Sequence, residues 1–282
     1  MIRLFLDNGA DVITNAPFAV AFAEKIGTAL RPFVDFKQAH PELADQPQQQ
    51  ADQALRYFAA QENLKWVCLM LWAGVNPHTR GPSLFDTHQE DPDWHTTAVD
   101  EARYKGNLEI FKKFKPGPQT DNLGELLSSA LYSRGDDVLG YLLKIGANPN
   151  NKENGGSAAL DQCLTHFRFE GFGPSRQKAQ IPKYAVRRTL ETLRALVTHG
   201  ACWKPHDQYH MNCVRKSLYQ CEPVVTVEVV KILAQNQAAS QETLEELLAP
   251  PRMRQHLSSL GINLYTSSDR KYKPRTAHAG SP

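Results

Sequence analysis

Runs of apolar residues with helical spacing occur four times along the chain, and each run ends at a glycine followed by a small residue. The runs lie at 2–12, 67–77, 139–150 and 193–201, and their glycines are Gly9, Gly74, Gly146 and Gly200. Glycine takes a positive φ at little cost, and this conformation commonly ends a helix. The pattern therefore predicts four helices, each with a leucine-rich face and a stop at its glycine.

A second recurring pattern is a short helix with small residues four positions apart, placed upstream of the first pattern. Ala98 and Ala102 carry it in the segment that leads to Gly106, and related segments lie at 16–21, 126–130 and 158–163. Small side chains at this spacing let two antiparallel helices approach closely. The predicted unit is thus helix, tight turn, helix, glycine and loop.

These units resemble the ankyrin repeat, which has about 33 residues, a Thr-Pro-Leu-His-x-Ala opening and a Leu-Leu-x-x-Gly-Ala ending. The four glycines are separated by 65, 72 and 54 residues, which correspond to one or two units with insertions. The full opening and its histidine are absent from every copy. The resemblance implies an all-α fold, a solenoid of stacked helix-turn-helix ankyrin-like repeats with loop insertions.

The repeats divide the chain into a half repeat at 1–12, six units and a closing helix pair that ends near 261. The units lie near 13–45, 46–80, 94–120, 122–152, 155–203 and 210–236. A solenoid needs covered ends, and Ser240 begins an acidic helix suited to that purpose. We therefore predict an ankyrin-like repeat domain at 1–262 with C-terminal capping helices, followed by a flexible basic tail at 263–282.

Insertions between repeats lie on edge loops, where function is often found. The segment 78–96 is acidic and aromatic, and it is either a solvated loop or a recognition finger. The segment 167–184 is basic and aromatic, and it is either a surface loop or a docking strip for an acidic partner. The Gln- and Pro-rich segment 38–53 is predicted to be a spacer.

Composition and charge exclude several classes of protein for this chain. The chain has 282 residues, of which 41% are hydrophobic, enough for a folded core. A net charge of +2 supplies no uniform field for nucleic acid or acidic lipid, and no window is long and apolar enough to span a membrane. Five cysteines and an N-terminus without a signal-peptide pattern predict a cytoplasmic protein with reduced thiols. We expect a monomer whose partner is another protein.

A histidine- and cysteine-rich segment raises the question of a zinc site. It contains His199, Cys202, His206, His210, Cys213 and Cys221. No repeated Cys-x2-Cys pair is present, so we expect core and turn residues and no metal.

No nucleophile elbow, dinucleotide-binding or phosphate-loop motif occurs, and buried structural cysteines are expected. Trp66 and Trp72 are interpreted as core or groove residues. The sequence thus indicates no catalytic residue and no cofactor.

The predicted function is therefore non-catalytic protein binding through the concave face and the finger loops. On the finger we expect Phe85, Asp91, Asp93 and Trp94 to contact the partner, and on the concave face Arg103, Tyr104 and Tyr132. The resemblance also implies a narrower role as a microbial or phage immunity protein, inhibitor or effector. The alternative from another class is an enzyme or metal-binding protein with a site at 199–221.

Overall fold

The computed structural model of the chain describes residues 8, 11, 14, 16–82, 95–131, 136–151, 158–166, 183–205, 208–219 and 223–249. Across these segments the secondary structure is helical, and the one strand-like feature is a bridge between Gly81 and Thr96. The all-α class is therefore confirmed. None of the described helices combines the length and the apolar character that crossing a bilayer would require.

Thirteen α-helices lie in the described segments, and short 3-10 turns at Gly27–Ala29 and Pro41–Leu43 flank the second of them. They are α1 (Pro17–Ala23), α2 (Leu30–Ala39), α3 (Asp45–Ala60), α4 (Leu64–Trp72), α5 (Ala98–Lys105), α6 (Leu108–Lys113), α7 (Leu123–Ala130), α8 (Asp136–Lys144), α9 (Ala159–His166), α10 (Lys183–Thr198), α11 (Gln208–Tyr219), α12 (Pro223–Gln235) and α13 (Gln241–Leu248).

The chain divides into two compact units, Met1–Asn154 and Gly155–Pro282. In the first unit, α3 packs on α4, α5 on α6, and α7 on α8, so that each pair forms a helix hairpin. The first helices form one row, in which α1 contacts α3, α3 contacts α5, and α5 contacts α7. The second helices form another row, in which α4 contacts α6 and α6 contacts α8.

The second unit follows the same plan. The pairs α9–α10 and α11–α12 pack as hairpins, while α9 contacts α11 and α10 contacts α12. The last described helix, α13, contacts α12. Each of the six units predicted from the sequence therefore contains two helices. Each predicted unit begins within a few residues of the start of its first helix.

Helix ends follow the glycine pattern where glycine is present. Gly74, Gly146 and Gly200 have φ values of +77°, +96° and +85°. In each case the next residue donates its N–H to the carbonyl five residues earlier, as Val75 does to Met70 at 3.1 Å. These bonds use carbonyls that the helix leaves without partners. The three predicted stops are confirmed, and the fourth glycine, Gly9, lies outside the described residues.

Four other helices end in the same conformation without glycine. Lys25, Glu62, Lys115 and Gln237 have φ values of +60°, +54°, +52° and +52°. Three of them keep the terminal hydrogen bond, for example from Asn63 to Phe58 at 3.0 Å. Pro116 follows Lys115 and has no N–H to donate. These four ends cannot be found by searching the sequence for glycine. A side chain at positive φ is strained, but the surrounding structure can offset that strain.

Small and aromatic side chains fill the space between the helices. Ala51 and Ala54 of α3 and Ala98 and Ala102 of α5 are buried, which agrees with the small-residue pattern and the contact of these helices. Trp66 is buried and stacks on Phe58 with ring centroids 5.1 Å apart.

The prediction of a spacer at 38–53 is wrong. Most of this segment forms the first half of α3, which begins at Asp45 and continues to Ala60. Pro47 is tolerated because it lies in the first turn, where a helix has no use for its N–H. The glutamines are also partly structural, since buried Gln50 accepts a hydrogen bond from the backbone of Phe18 at 2.9 Å.

Candidate functional site

The segment 83–94 is the central part of the predicted insertion at 78–96 and lies outside the described residues, and the described residues on its two sides form a closed base. Gly81 and Thr96 exchange two backbone hydrogen bonds of 3.0 Å each, and the N–H of Ala98 donates to the carbonyl of Pro77 at 3.1 Å. Arg80 donates from Nε to the carbonyl of His95 at 2.8 Å. The two ends of the insertion are therefore held side by side next to α5.

Arg56 of α3 holds this base from within the fold. Its side chain is buried, and it donates from Nε to the carbonyl of Pro82 at 2.9 Å and from Nη1 to that of Thr79 at 3.0 Å. A Cβ added to Gly81 would lie 2.7 Å from Nη2 of Arg56. Glycine at this position therefore leaves the space that the guanidinium occupies.

Asp52 lies one helical turn before Arg56 and binds the loop that precedes the insertion. Its Oδ1 accepts hydrogen bonds from Gln48 Nε2 at 2.7 Å and from the backbone N–H of Asn76 at 3.3 Å. Burial raises the pKa of Asp52, while these hydrogen bonds and the charge of Arg56 oppose the rise. Lys37 donates to Gln48 and extends the network to α2.

Glu101 joins the network from α5. It accepts a hydrogen bond from Thr96 Oγ1 at 2.8 Å, and burial raises its pKa. Burial also lowers the pKa of Arg56, against the attraction of Asp52 and Glu101. Buried charges are tolerated when such partners surround them. We call Asp52, Arg56, Glu101 and Thr96 the base network, because together they tie α3, α5 and both ends of the insertion.

The start of α5 is secured by a capping box. Thr97 Oγ1 accepts the N–H of Asp100 at 3.0 Å, and Asp100 Oδ2 accepts the N–H of Thr97 at 3.0 Å. Each side chain thus binds a backbone donor that the first turn of the helix leaves unpaired. Helix α5 therefore begins directly after the base, with Thr97 as its N-cap.

Two of the predicted contact residues, Arg103 and Tyr104, lie on α5. Tyr104 is 63% exposed at the end of the helix, with Lys105 Nζ 6.0 Å from its ring centroid. The side chain of Arg103 is only 12% exposed, and its Nε lies 3.9 Å from Asp100 Oδ1. The other predicted contacts, Phe85, Asp91, Asp93, Trp94 and Tyr132, lie outside the described residues.

Burial shapes the electrostatics of Arg103. It lowers the pKa of the guanidinium, against the charges of Asp100, Glu101 and Glu125. The Nε atom is buried and has no hydrogen-bond partner. Leaving a buried donor unpaired costs free energy. Because its side chain is mostly enclosed, Arg103 offers less surface to a partner than Tyr104 does.

A side-chain hydrogen bond joins the loops that follow two successive hairpins. His78 Nδ1 lies 2.8 Å from Asp121 Oδ1, and both side chains are largely buried. Asp121 Oδ2 also accepts from Thr120 Oγ1 at 2.6 Å and from the N–H of Gly117 at 3.1 Å. Beside it opens a polar groove of about 540 Å³. Its lining is Pro118, Gln119, Thr120, Asp121, Asn122, Leu123, Gly124, Gly146, Asn148 and Asn151.

The histidines and cysteines considered for zinc are used in other ways where the structure describes them. His199 Nδ1 bonds the carbonyl of Ala195 at 2.8 Å within α10. Among the described residues, no group of three or more His, Cys, Asp or Glu side chains could hold a metal ion; His206 and Cys221 lie outside them. Cys163 is buried, but Cys68 and Cys202 are exposed, so the expectation of buried cysteines is wrong for these two.

The base network was not predicted from the sequence. A usable signal was present, because Gln48, Asp52 and Arg56 lie four residues apart on a helix whose same side carries alanine and leucine. Polar residues on a buried face usually have partners. The partners themselves, the carbonyls of Thr79 and Pro82, become visible only once the chain is folded. Comparison of the chain with protein-family models, with curated proteins and with solved structures found no match.

Proposed function

We propose that this chain is an ankyrin-like stack of helix hairpins that binds another protein through its first-helix row and the insertion at 83–94. The observation that carries the proposal is the packing within each unit, where first helices contact first helices and second helices contact second helices. Such packing is typical of repeat proteins, in which each unit buries its apolar face against its neighbours.

The endings and openings of the units support the ankyrin-like assignment. Residues 142–147 read Leu-Leu-Lys-Ile-Gly-Ala, which matches the repeat ending, and Gly146 has the positive φ that this ending needs. At the opening of the α5 unit, Asp100 stands where the repeat has histidine. Its capping box with Thr97 gives this unit another way to tie the turn.

The insertion supports protein binding because its base is already ordered. A loop whose ends are held by buried hydrogen bonds loses less conformational entropy on binding than an unanchored one. Residues 83–94 include two aromatic and four acidic side chains, and Tyr104 is exposed on the neighbouring helix. Large aromatic side chains are the commonest anchors of protein interfaces.

Replacing Tyr104 and Trp94 by alanine in the full chain tests the proposal. The partner is first captured from the native source with the tagged protein and identified by mass spectrometry, and the recombinant pair is then measured by calorimetry. We expect the double variant to raise Kd about tenfold or more, the size of a hot-spot loss.

Val224→Ala is the control, because Val224 is 65% exposed on α12, a second helix that lies outside the first-helix row. It should change Kd by less than about twofold. A double variant with unchanged Kd would remove the first-helix row and the insertion as the binding surface. If the partner is an enzyme or toxin whose activity falls on binding, the narrower role of inhibitor or immunity protein is supported.

A further inference from the structure

The C-terminal ends of the second helices of the first unit carry a group of basic residues around an exposed tryptophan. Trp72, the last residue of α4, is 63% exposed. Lysines are exposed at the end of α6 and α8 as well. We call Trp72, Lys112, Lys113, Lys115 and Lys144 the lysine stripe.

The register of the three helices places these residues side by side. In each helix the residue at positive φ donates its N–H to the carbonyl three residues earlier, namely Gly74 to Leu71, Lys115 to Lys112 and Gly146 to Leu143, at 3.1 to 3.2 Å. Trp72, Lys113 and Lys144 each precede that residue by two positions. Because α4 contacts α6 and α6 contacts α8, the three residues occupy equivalent positions on successive helices of one row, and we infer that their side chains are neighbours.

Apart from Trp72 the stripe residues are basic, and the acidic residue of α6, Glu109, lies one turn before Lys113. Lys112 Nζ lies 5.4 Å from the ring centroid of Tyr141, which links α6 to α8. No acidic residue occurs at 69–72, 111–115 or 141–145. Within the described part of the chain, no salt bridge engages the four lysines.

The helix dipole accounts for the lysines but not for the tryptophan. A cation near a helix C-terminus gains a few tenths of a kcal/mol up to about 1 kcal/mol from the dipole, so lysines at these positions are expected in any helical protein. Exposing most of an indole brings no such gain, since burial of aromatic surface is favourable. Trp72 therefore points to an interaction surface in which the lysines take part.

We propose that the lysine stripe binds an acidic, extended segment of a partner protein, with an apolar side chain on Trp72 and carboxylates on Lys113 and Lys144. The surface lies on the second-helix row and is thus separate from the first-helix surface. The inference rests on the proposed function only in taking the ligand to be a protein.

The spacing of the row favours one conformation of the bound segment. Packed helices lie about 8–10 Å apart. A polyproline-II segment rises about 3.1 Å per residue with three residues per turn, so every third side chain faces the same way, about 9 Å from the last. An apolar residue with acidic residues three and six positions later matches Trp72, Lys113 and Lys144.

A peptide fits the stripe better than nucleic acid does. The stripe contains lysine but no arginine, which is the residue suited to bidentate binding of phosphate. The net charge of +2 gives no wide positive field, and nucleic-acid affinity depends chiefly on many phosphate contacts.

Fluorescence anisotropy with two labelled peptides tests the proposal on the full chain. The first is a proline-rich nonapeptide with leucine at position 2 and glutamate at positions 5 and 8, and the second has the same composition with glutamates two positions apart. We expect the first to bind with Kd below about 1 mM at low salt and about fivefold tighter than the second. Lys113→Glu with Lys144→Glu should weaken it about tenfold or more, and so should Trp72→Ala.

Lys216→Glu with Lys231→Glu is the matched control, because it reverses two exposed lysines on α11 and α12 and changes the net charge equally. It should leave Kd within about twofold. The double variant Lys113→Gln with Lys144→Gln removes the two charges without reversing them, and circular dichroism shows whether it is still folded. A loss of peptide binding in the folded variant is then a loss of contacts.

Three results would overturn the proposal: no binding below about 1 mM, equal binding of both peptides, or an equal loss in the control variant. Tighter binding of a 12-nucleotide single-stranded DNA that depends on the same lysines would also overturn it, in favour of nucleic acid. Tyr104→Ala should leave peptide binding unchanged, which separates failure here from failure of the first-helix surface.

Discussion

Residues at helix ends differ in what a left-handed backbone costs them. Glycine adopts a positive φ without strain, whereas other residues lose about 1–2 kcal/mol there. This chain uses both solutions, with Gly74 at +77° after α4 and Gln237 at +52° after α12. The same backbone conformation therefore costs free energy at Gln237 and none at Gly74, because only Gln237 carries a side chain.

We predict opposite effects of exchanging these two residue types. Gly74→Ala should lower the free energy of unfolding by about 1 kcal/mol, although an added Cβ would meet nothing within 4 Å, because the cost is conformational. Gln237→Gly should raise it by about 0.5 kcal/mol, the relief of strain less the greater entropy of unfolded glycine. Urea denaturation of both variants measures the two values. Loss of stability in Gln237→Gly would show that its side chain makes a contact worth more than the strain.

Buried carboxyls give the fold a pH dependence of unusual sign. Because burial raises the pKa of Asp52 above its ordinary value of 3.8, the folded state keeps a proton that the unfolded state has lost. The contribution of Asp52 to stability is then largest at acid pH and falls as pH rises from the ordinary value through the folded value. Glu101, whose pKa is also raised, acts in the same direction.

Asp52→Asn isolates this contribution. Relative to the variant, the wild type should lose stability as pH rises from about 4, the ordinary pKa of an aspartate, through the raised pKa of Asp52. Urea titrations across this range give the difference. Asp45→Asn, an exposed carboxyl in the first turn of the same helix, should not reproduce it. A difference that grows with pH would mean that the charged form of Asp52 is the one the fold favours.

At the scale of elements, α3 is the helix that ties the first unit together. It contacts α1, α4 and α5, and it supplies Asp52 and Arg56 to the base network. Its N-terminal half was predicted to be a spacer because glutamine and proline are typical of spacers, yet both residues are compatible with the start of a helix. Composition alone indicates a spacer, whereas the position of each residue in the helix decides whether it is compatible with that helix.

The pairing of elements predicts how damage to α3 spreads. Phe58 is fully buried and stacks on Trp66 of α4, so Phe58→Ala should cost about 3–5 kcal/mol. Hydrogen exchange should rise most in α1, α4 and α5, which contact α3, and less in α8, whose contacts are with α6 and α7. Mass spectrometry of exchanged peptides measures this. An equal rise in α8 would indicate that the first unit unfolds as one cooperative body instead of by neighbouring hairpins.

At the scale of the whole molecule, each unit is built from the same hairpin packing. The two surfaces that we propose lie where that packing is interrupted, at the segment 83–94 between two hairpins, and where it is left open, at the lysine stripe on one helix row. A stack leaves both first and second helices accessible, so one chain can offer two surfaces.

The sequence by itself determined most of the helices, their pairing and the described glycine ends, because these depend on local spacing and on the φ preference of single residues. It also located the insertion between two hairpins, since a break in a repeat is readable along the chain. The base network, the burial of Arg103 and the alignment of Trp72 with Lys113 and Lys144 were decided by tertiary structure. Each depends on residues from different helices meeting, and the desolvation and contacts that give them their chemistry exist only after the helices have packed.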